Sequence, residues 1–255
     1  MSQTQETISL ITGGSRGLGR SMAEHLGRAG ADVIITWRAR QEEADTVVRT
    51  VEAAGRCAVA LQLDAGDIAT FPAFAERLAE TLDRRWGRKT FDVLVNNAGT
   101  SLHNSIAETT EEEFDAVMKV HLKGPYFLTQ RLLPLLADGA RILNISSGLA
   151  RFSFPGSSAY AMMKGGIEVF TRYLAAELAS RGITANTLAP GAIETDFSGG
   201  IVRDNPDVNR MVSENTALGR PGRVSDIGPI VAALVSADNR WINGQRIEAS
   251  GGMRL

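Results

Sequence analysis

The sequence predicts an α/β domain built as a doubly wound parallel sheet of about seven strands, with helices on both faces. Two observations carry this. Short apolar runs alternate with segments of helical period along the 255 residues, the order expected of βαβ crossovers. Several runs have apolar residues on consecutive positions rather than alternating ones, as in parallel strands buried on both faces. The length suits one large domain. No repeat, low-complexity tract or linker divides the chain, so residues 1–255 are taken as a single domain.

In chain order, strands are expected at residues 8–12, 33–36, 58–63, 93–95, 142–145, 183–188 and 246–249. Between them, Leu18, Met22, Leu26 and Ala29 recur at helical spacing, as do Ile167, Phe170, Leu174 and Leu178, each set making one apolar helix face. The longest stretch without clear period is 191–216, which contains Gly199, Gly200, Asp204, Asn205 and Pro206. It follows a predicted strand, and open α/β sheets bind ligands outside the carboxyl ends of their strands. The expectation is a substrate lid; a tolerated surface insertion is the other reading.

Composition narrows the function. Apolar residues make up 44% and charged residues 22%, and the net charge is −2 with Lys and Arg scattered. No basic stripe exists to displace counterions, so a nucleic-acid partner is set aside. Cys57 is the sole cysteine, which excludes an intrachain disulfide and reads as a small buried hydrophobe. No apolar run approaches the length of a membrane span, and residues 1–7 lack the features of a secretory signal. A cytoplasmic, soluble protein is expected. His25 and His103 have no second ligand at metal spacing, so no metal site is expected.

The chemistry begins after the first strand, with Thr12-Gly13-Gly14-Ser15-Arg16-Gly17-Leu18-Gly19 running into a helix. Glycines allow a tight turn and a close approach to a pyrophosphate, and a helix start offers free N–H groups and a favourable dipole. No Gly-Lys-Ser or Gly-Lys-Thr follows, so this is not a Walker loop. The second strand ends Thr36-Trp37-Arg38, without the carboxylate that would bind a ribose 2′-hydroxyl. Arg16 and Arg38 suit a 2′-phosphate instead, and Trp37 or Arg38 suits stacking on adenine. The cofactor expected is NADP(H).

With these motifs in place, the chain resembles the short-chain dehydrogenase/reductase family, and its 3-ketoacyl-acyl-carrier-protein-reductase-like members in particular, from Ile8 to Gly252. The resemblance implies a Rossmann-type fold and a homotetramer. It implies that Asn97, Ala98 and Gly99 lie beside the cofactor, that Asp64 contacts adenine, and that Pro190, Gly191, Ile193 and Thr195 form the nicotinamide-side loop. Its catalytic set falls on Ser147, Tyr160 and Lys164. Tyr160 and Lys164 are four residues apart, hence on one helix face. An ammonium beside a phenol is expected to lower its pKa and make its proton exchangeable. Ser147 would hold the substrate oxygen, and Lys164 the nicotinamide ribose. The implied reaction moves a hydride between the nicotinamide and a small-molecule carbonyl or alcohol.

One position departs from the family. An Asn usually completes the catalytic set in the fourth helix; here that position is His121. Either the imidazole is a satisfied, partly buried histidine, or it replaces the amide. In the second case Pro125, which has no N–H, leaves the His121 carbonyl free to hold a relay water. Arg151, Phe152 and Phe154, between Ser147 and Tyr160, are read either as approaching an apolar or aromatic substrate, with Arg151 at the rim, or as packing within their own loop. Two other readings stand beside a carbonyl reductase: an NADP-binding sensor that has lost turnover, and a reductase of imines or ring-bearing alcohols.

Overall fold

The computed structural model describes residues 7–255, so the reading of the N-terminus lies, for residues 1–6, outside the described residues. All seven expected strands form: β1 (Ile8–Ile11), β2 (Asp32–Trp37), β3 (Ala58–Gln62), β4 (Phe91–Asn96), β5 (Leu136–Ile145), β6 (Thr184–Pro190) and β7 (Arg246–Ala249). The helices are α1 (Gly17–Arg28), α2 (Gln41–Ala53), α3 (Phe71–Trp86), α4 (Glu111–Met118), α5 (Gly124–Leu132), α6 (Ser158–Glu177), α7 (Ile201–Asp204), α8 (Pro206–Glu214) and α9 (Val224–Leu234). The strands make one parallel sheet ordered β3-β2-β1-β4-β5-β6-β7.

Side-chain alternation divides the core. Leu10, Ile34, Leu94 and Ile142 serve one face, packed with Phe74, Leu78, Leu128 and Leu174 of α3, α5 and α6. Ile11, Ile35, Val95 and Leu143 serve the other, packed with Met22, Val47 and Val231 of α1, α2 and α9. Each fully buried Leu or Phe contributes roughly 1.5–3 kcal/mol, so burial on both faces explains why the strands read as continuous apolar runs. The strand order reverses between β1 and β4, and the crevice at their carboxyl ends is where ligands of such sheets bind.

Three expectations need correction. β5 begins at Leu136 rather than 142, because its Asp138-Gly139 looks like a turn. The strand instead carries an irregularity there, pairing Leu136 with Phe91 and then Arg141 with Val93, with Gly139 in the left-handed region (φ 76°). Segment 191–216 is not irregular: it holds α7 and α8, and the Asn205 side chain caps α8 by accepting from the Asp207 (3.0 Å) and Val208 (3.1 Å) amides. Cys57 is half-buried rather than buried.

Between α4 and α5 the chain makes a π-helical turn at Lys119–Lys123 instead of a continuous α-helix. The Gly124 amide reaches back to the Lys119 carbonyl, and a Cβ on Gly124 would stand 2.0 Å from the Ala65 carbonyl oxygen. π-bulges of this kind concentrate at functional sites. His121 lies in its middle.

Candidate active site

The glycine turn, the end of β2 and the segment after β4 form one unit. The Thr12 hydroxyl accepts from the Asn97 and Ala98 amides, at 2.9 and 3.0 Å. Asn97 Nδ2 donates to the carbonyls of Thr12 (2.9 Å) and Gly13 (3.1 Å), and the Gly13 amide donates to Thr36 Oγ1 (3.1 Å). Gly13 is left-handed (φ 65°), and a Cβ there would lie 3.0 Å from Ala98 Cα. A Cβ on Gly19 would lie 2.1 Å from the Gly13 carbonyl oxygen. Arg16, at the cap of α1, makes no side-chain bond to the helix start, so the first amides of α1 are open to an anion. A turn stripped of side chains and opening on orphan amides fits a dinucleotide pyrophosphate.

Around this cradle, Arg16 and Arg38 are exposed, whereas Trp37 is partly buried against the core of the α1 face, as is Leu18. Ser15 is half-buried in the turn. No carboxylate stands at the end of β2, and Glu43, in α2, is paired with Arg40 at 2.8 Å. Asp64 turns its carboxylate on the Gly66 amide (2.9 Å). Gly191, following Pro190, donates to the Ala249 carbonyl (3.2 Å), Ile193 bridges to Gly222, and Thr195 Oγ1 accepts from the Phe197 amide (3.1 Å).

Ser147, Tyr160 and Lys164 come together at the carboxyl end of β5 and the start of α6. Lys164 is buried, and its Nζ donates to the Ile145 carbonyl at 2.7 Å and stands 5.5 Å from the Tyr160 ring centroid. Burial pushes its pKa down to about 7. The Ser147 hydroxyl accepts from the Leu149 amide (3.2 Å). Burial holds the Tyr160 phenol above its ordinary value, and a hydrogen bond with Ser147 opposes that rise. The lowering expected from the Lys164 ammonium is not among the causes of this shift; burial leads it, and it favours the protonated phenol.

His121 is 2% exposed. Its Nε2 lies 3.0 Å from the Thr100 amide and 2.7 Å from the Thr100 carbonyl oxygen, while its Nδ1 is buried without a hydrogen-bond partner. Its ring meets the Tyr160 ring edge-on, centroids 5.1 Å apart. Burial first, and the Lys164 charge second, push its pKa down to about 3, so the imidazole is neutral.

The loops around these residues differ from expectation in part. The Arg151 guanidinium is taken up by structure, forking onto Glu248 at 2.7 and 2.8 Å and donating to the Met253 and Arg254 carbonyls. The Arg151 and Arg254 guanidiniums both stand over the Phe152 ring, 5.5 and 5.6 Å from its centroid. Phe154 stands 6.3 Å from exposed His103. Phe197, which sequence reading passed over, packs on Tyr160 at 6.0 Å. Its place in 191–216 was the available signal. Among the described residues there is no group of three His, Cys, Asp or Glu able to hold a metal, and no helix long and apolar enough to cross a membrane.

A family model described as Enoyl-(Acyl carrier protein) reductase matches residues 13–254, and the chain belongs to the short-chain dehydrogenase/reductase family, whose members bind NAD(P). Among its relatives, the 3-oxoacyl-acyl-carrier-protein reductase FabG of Staphylococcus aureus is 34% identical over 97% of this chain and 98% of its own length. Among solved structures, the promiscuous reductase LugOII, which catalyses a keto-reduction at C1 in lugdunomycin biosynthesis, superposes with a TM-score of 0.93 at 36% identity, over 100% of both chains. The angucycline C-6 ketoreductase LanV with bound NADP superposes at 0.92 with 37% identity, over 98% of this chain and 96% of that one; a second LanV structure holds NADP and rabelomycin.

Proposed function

We propose that this chain is an NADP(H)-dependent ketoreductase that interconverts a ring-bearing ketone and its alcohol, with Tyr160 as the general acid and base. The observation that carries the reading is the Tyr160 phenol facing Ser147, with the Lys164 Nζ 5.5 Å from its ring and held on the Ile145 carbonyl, close to a cradle fit for a dinucleotide. Bound cofactor supplies the hydride. Ser147 and Tyr160 both donate to the substrate oxygen and hold the carbonyl in place. Negative charge developing on that oxygen draws the phenolic proton, which burial has kept on Tyr160. Lys164 stabilises the phenolate that remains. His121, uncharged, buttresses the Tyr160 ring without competing for the proton.

Arg16 and Arg38 supply guanidinium forks for a 2′-phosphate, with LanV crystallised with NADP as support. Segment 191–216 acts as a lid, with Phe197 over Tyr160 excluding water. Phe197, packed on Tyr160, offers an aromatic face suited to rings, and rabelomycin bound to LanV favours ring ketones over acyl thioesters as first candidates. A homotetramer is part of the reading: Tyr126 and Phe127 on α5 and Val169 and Tyr173 on α6 are exposed apolar side chains that a second copy would cover.

The test is loss of nicotinamide absorbance with NADPH and then NADH against ring-bearing ketones, α-diketones and a β-ketoacyl thioester, with Tyr160→Phe as control. Turnover with NADPH that disappears in the variant is the expected result. Tight NADPH binding without turnover in either direction would replace this reading with a sensor. A single monomeric species in sedimentation would remove the tetramer.

A further inference from the structure

We propose that Arg246 is a positioning residue for Ser147, working through a chain of two arginines and two carboxylates behind the site. This rests on the reading above only in taking Ser147 as catalytic. β5 ends at Ile145, and two serines follow. Ser146 is buried, and its hydroxyl lies 2.7 Å from Glu168 Oε1 and 3.3 Å from the Lys164 carbonyl oxygen. Glu168 stands one helical turn beyond Lys164 on α6. The same Oε1 accepts from Arg246 Nε at 2.7 Å. From β7, Arg246 also sends Nη1 to Glu248 Oε2 (2.8 Å) and Nη2 to the carbonyl of Ser147 itself (3.3 Å). Arg151 closes the far side by forking onto Glu248 and gripping the carbonyls of Met253 and Arg254.

One guanidinium thus touches three elements. It joins the strand end that carries Ser147, the helix that carries Tyr160 and Lys164, and β7. The separation of the Ser147 and Tyr160 hydroxyls is set by how β5 and α6 sit against each other, and reacting groups must be held within about 0.5 Å of productive geometry. Among the described residues the Ser147 carbonyl otherwise accepts only from the Ala150 amide at 3.2 Å, a bond within its own turn that fixes nothing relative to α6. A rigid planar fork holds three directions at once, which an ammonium on a flexible stem does not. Two positive and two negative groups balance, so the cluster remains half-buried without an unpaired charge. The hydrogen bond of Arg151 to Glu248 leads in holding the Glu248 carboxyl down to about 2, so the acceptor stays ionised at neutral pH.

The experiment is a double-mutant cycle. Arg246→Met should lower kcat/KM for the ketone about tenfold while the Kd for NADPH, read by nucleotide fluorescence, stays within twofold. In a Ser147→Ala background the same change should cost less than twofold, because the residue it positions is gone. Amide exchange gives a second readout that needs no turnover. The Leu149 amide donates to Ser147 Oγ, so a peptide spanning residues 146–150 should exchange about tenfold faster in Arg246→Met. Equal losses in both backgrounds, or unchanged exchange, would reduce Arg246 to a general stabiliser and overturn the proposal. If Arg246→Met does not fold, Arg246→Lys, which keeps the charge and loses the fork, enters the same cycle with the same expectations. A wild-type protein that turns nothing over would refute the ketoreductase reading, and the exchange measurement would still decide the role of Arg246.

Discussion

Replacing His121 probes what a buried neutral imidazole costs this fold. The ring is 2% exposed, its Nδ1 has no partner, and burial together with the Lys164 charge brings its pKa to about 3. An unfolded chain protonates its histidine near pH 6.5, whereas the folded one refuses the proton until about pH 3. The unfolded state therefore binds more protons across that window, and stability falls as pH drops from 6.5 towards 3; above 6.5 the effect is absent. At about 1.4 kcal/mol per pH unit, moving from pH 7 to pH 5 costs roughly 2 kcal/mol. In a chain of this size 1 kcal/mol moves Tm by roughly 2–4 °C, which makes the expected loss about 4–8 °C. His121→Asn carries no such titration. Melting curves of both proteins, at one protein concentration across pH 7 to 5, should show the variant gaining about that much on the wild type. Parallel curves would refute the reasoning, because they would mean that the folded imidazole titrates near its ordinary value. The same variant should keep activity within about tenfold, a barrier change of about 1.4 kcal/mol; complete loss of turnover in a folded protein would show that amide and imidazole are not interchangeable here.

Three further outcomes follow. Arg38→Ala should raise the Kd for NADPH about tenfold to a hundredfold and leave that for NADH within twofold, since only a 2′-phosphate needs the fork; equal effects on both nucleotides would remove Arg38 from the phosphate. Gly19→Ala puts a methyl 2.1 Å from the Gly13 carbonyl oxygen and 2.7 Å from Asn97 Nδ2. It should lower Tm by several degrees, the mark of overpacking by about 1–3 kcal/mol, and abolish NADPH binding in titration; normal binding would mean that the turn has room. Burial lowers the Lys164 pKa to about 7, so the folded enzyme loses the ammonium as pH rises through 7, while the unfolded chain keeps it to about 10.5. Stability therefore rises with pH across that interval, but kcat/KM, which reports the free enzyme, should decline above about pH 7, and a profile flat to pH 9 would show that the charge is not needed.

Strand positions were legible because burial on both sheet faces leaves a mark that does not depend on context: consecutive apolar residues with no polar phase. Tyr160 and Lys164 were legible through the resemblance to the family, which picks them out, and helical spacing then puts them on one face. The start of β5 was not, because Asp138-Gly139 has the chemistry of a turn and only the irregular pairing with β4 lets the strand continue through it. In 191–216 the Asn205-Pro206 start signal of α8 was in plain view. The helix it opens does place Val208, Met211 and Val212 on one face, but it runs only from Pro206 to Glu214, too short for the period to stand out beside the glycines before it.

The less legible part of the site is the use to which each polar group is put. Asn97, expected beside the cofactor, sends its amide hydrogens to the Thr12 and Gly13 carbonyls, so it holds the turn on which the cofactor is expected. Arg151 lies in the substrate-side loop by sequence, but its partner Glu248 is 97 residues away and takes the guanidinium out of that loop. Arg246 and Ser147 are 99 residues apart. Local patterning reports what a residue is able to do within a few turns or strands of itself. Pairings formed across the sheet decide which of those abilities is spent on structure and which remains for a ligand. That is why the tyrosine and lysine of the site stand out in the chain, while the carboxylates and guanidiniums that hold their neighbours in place become visible only once β7 lies against α6.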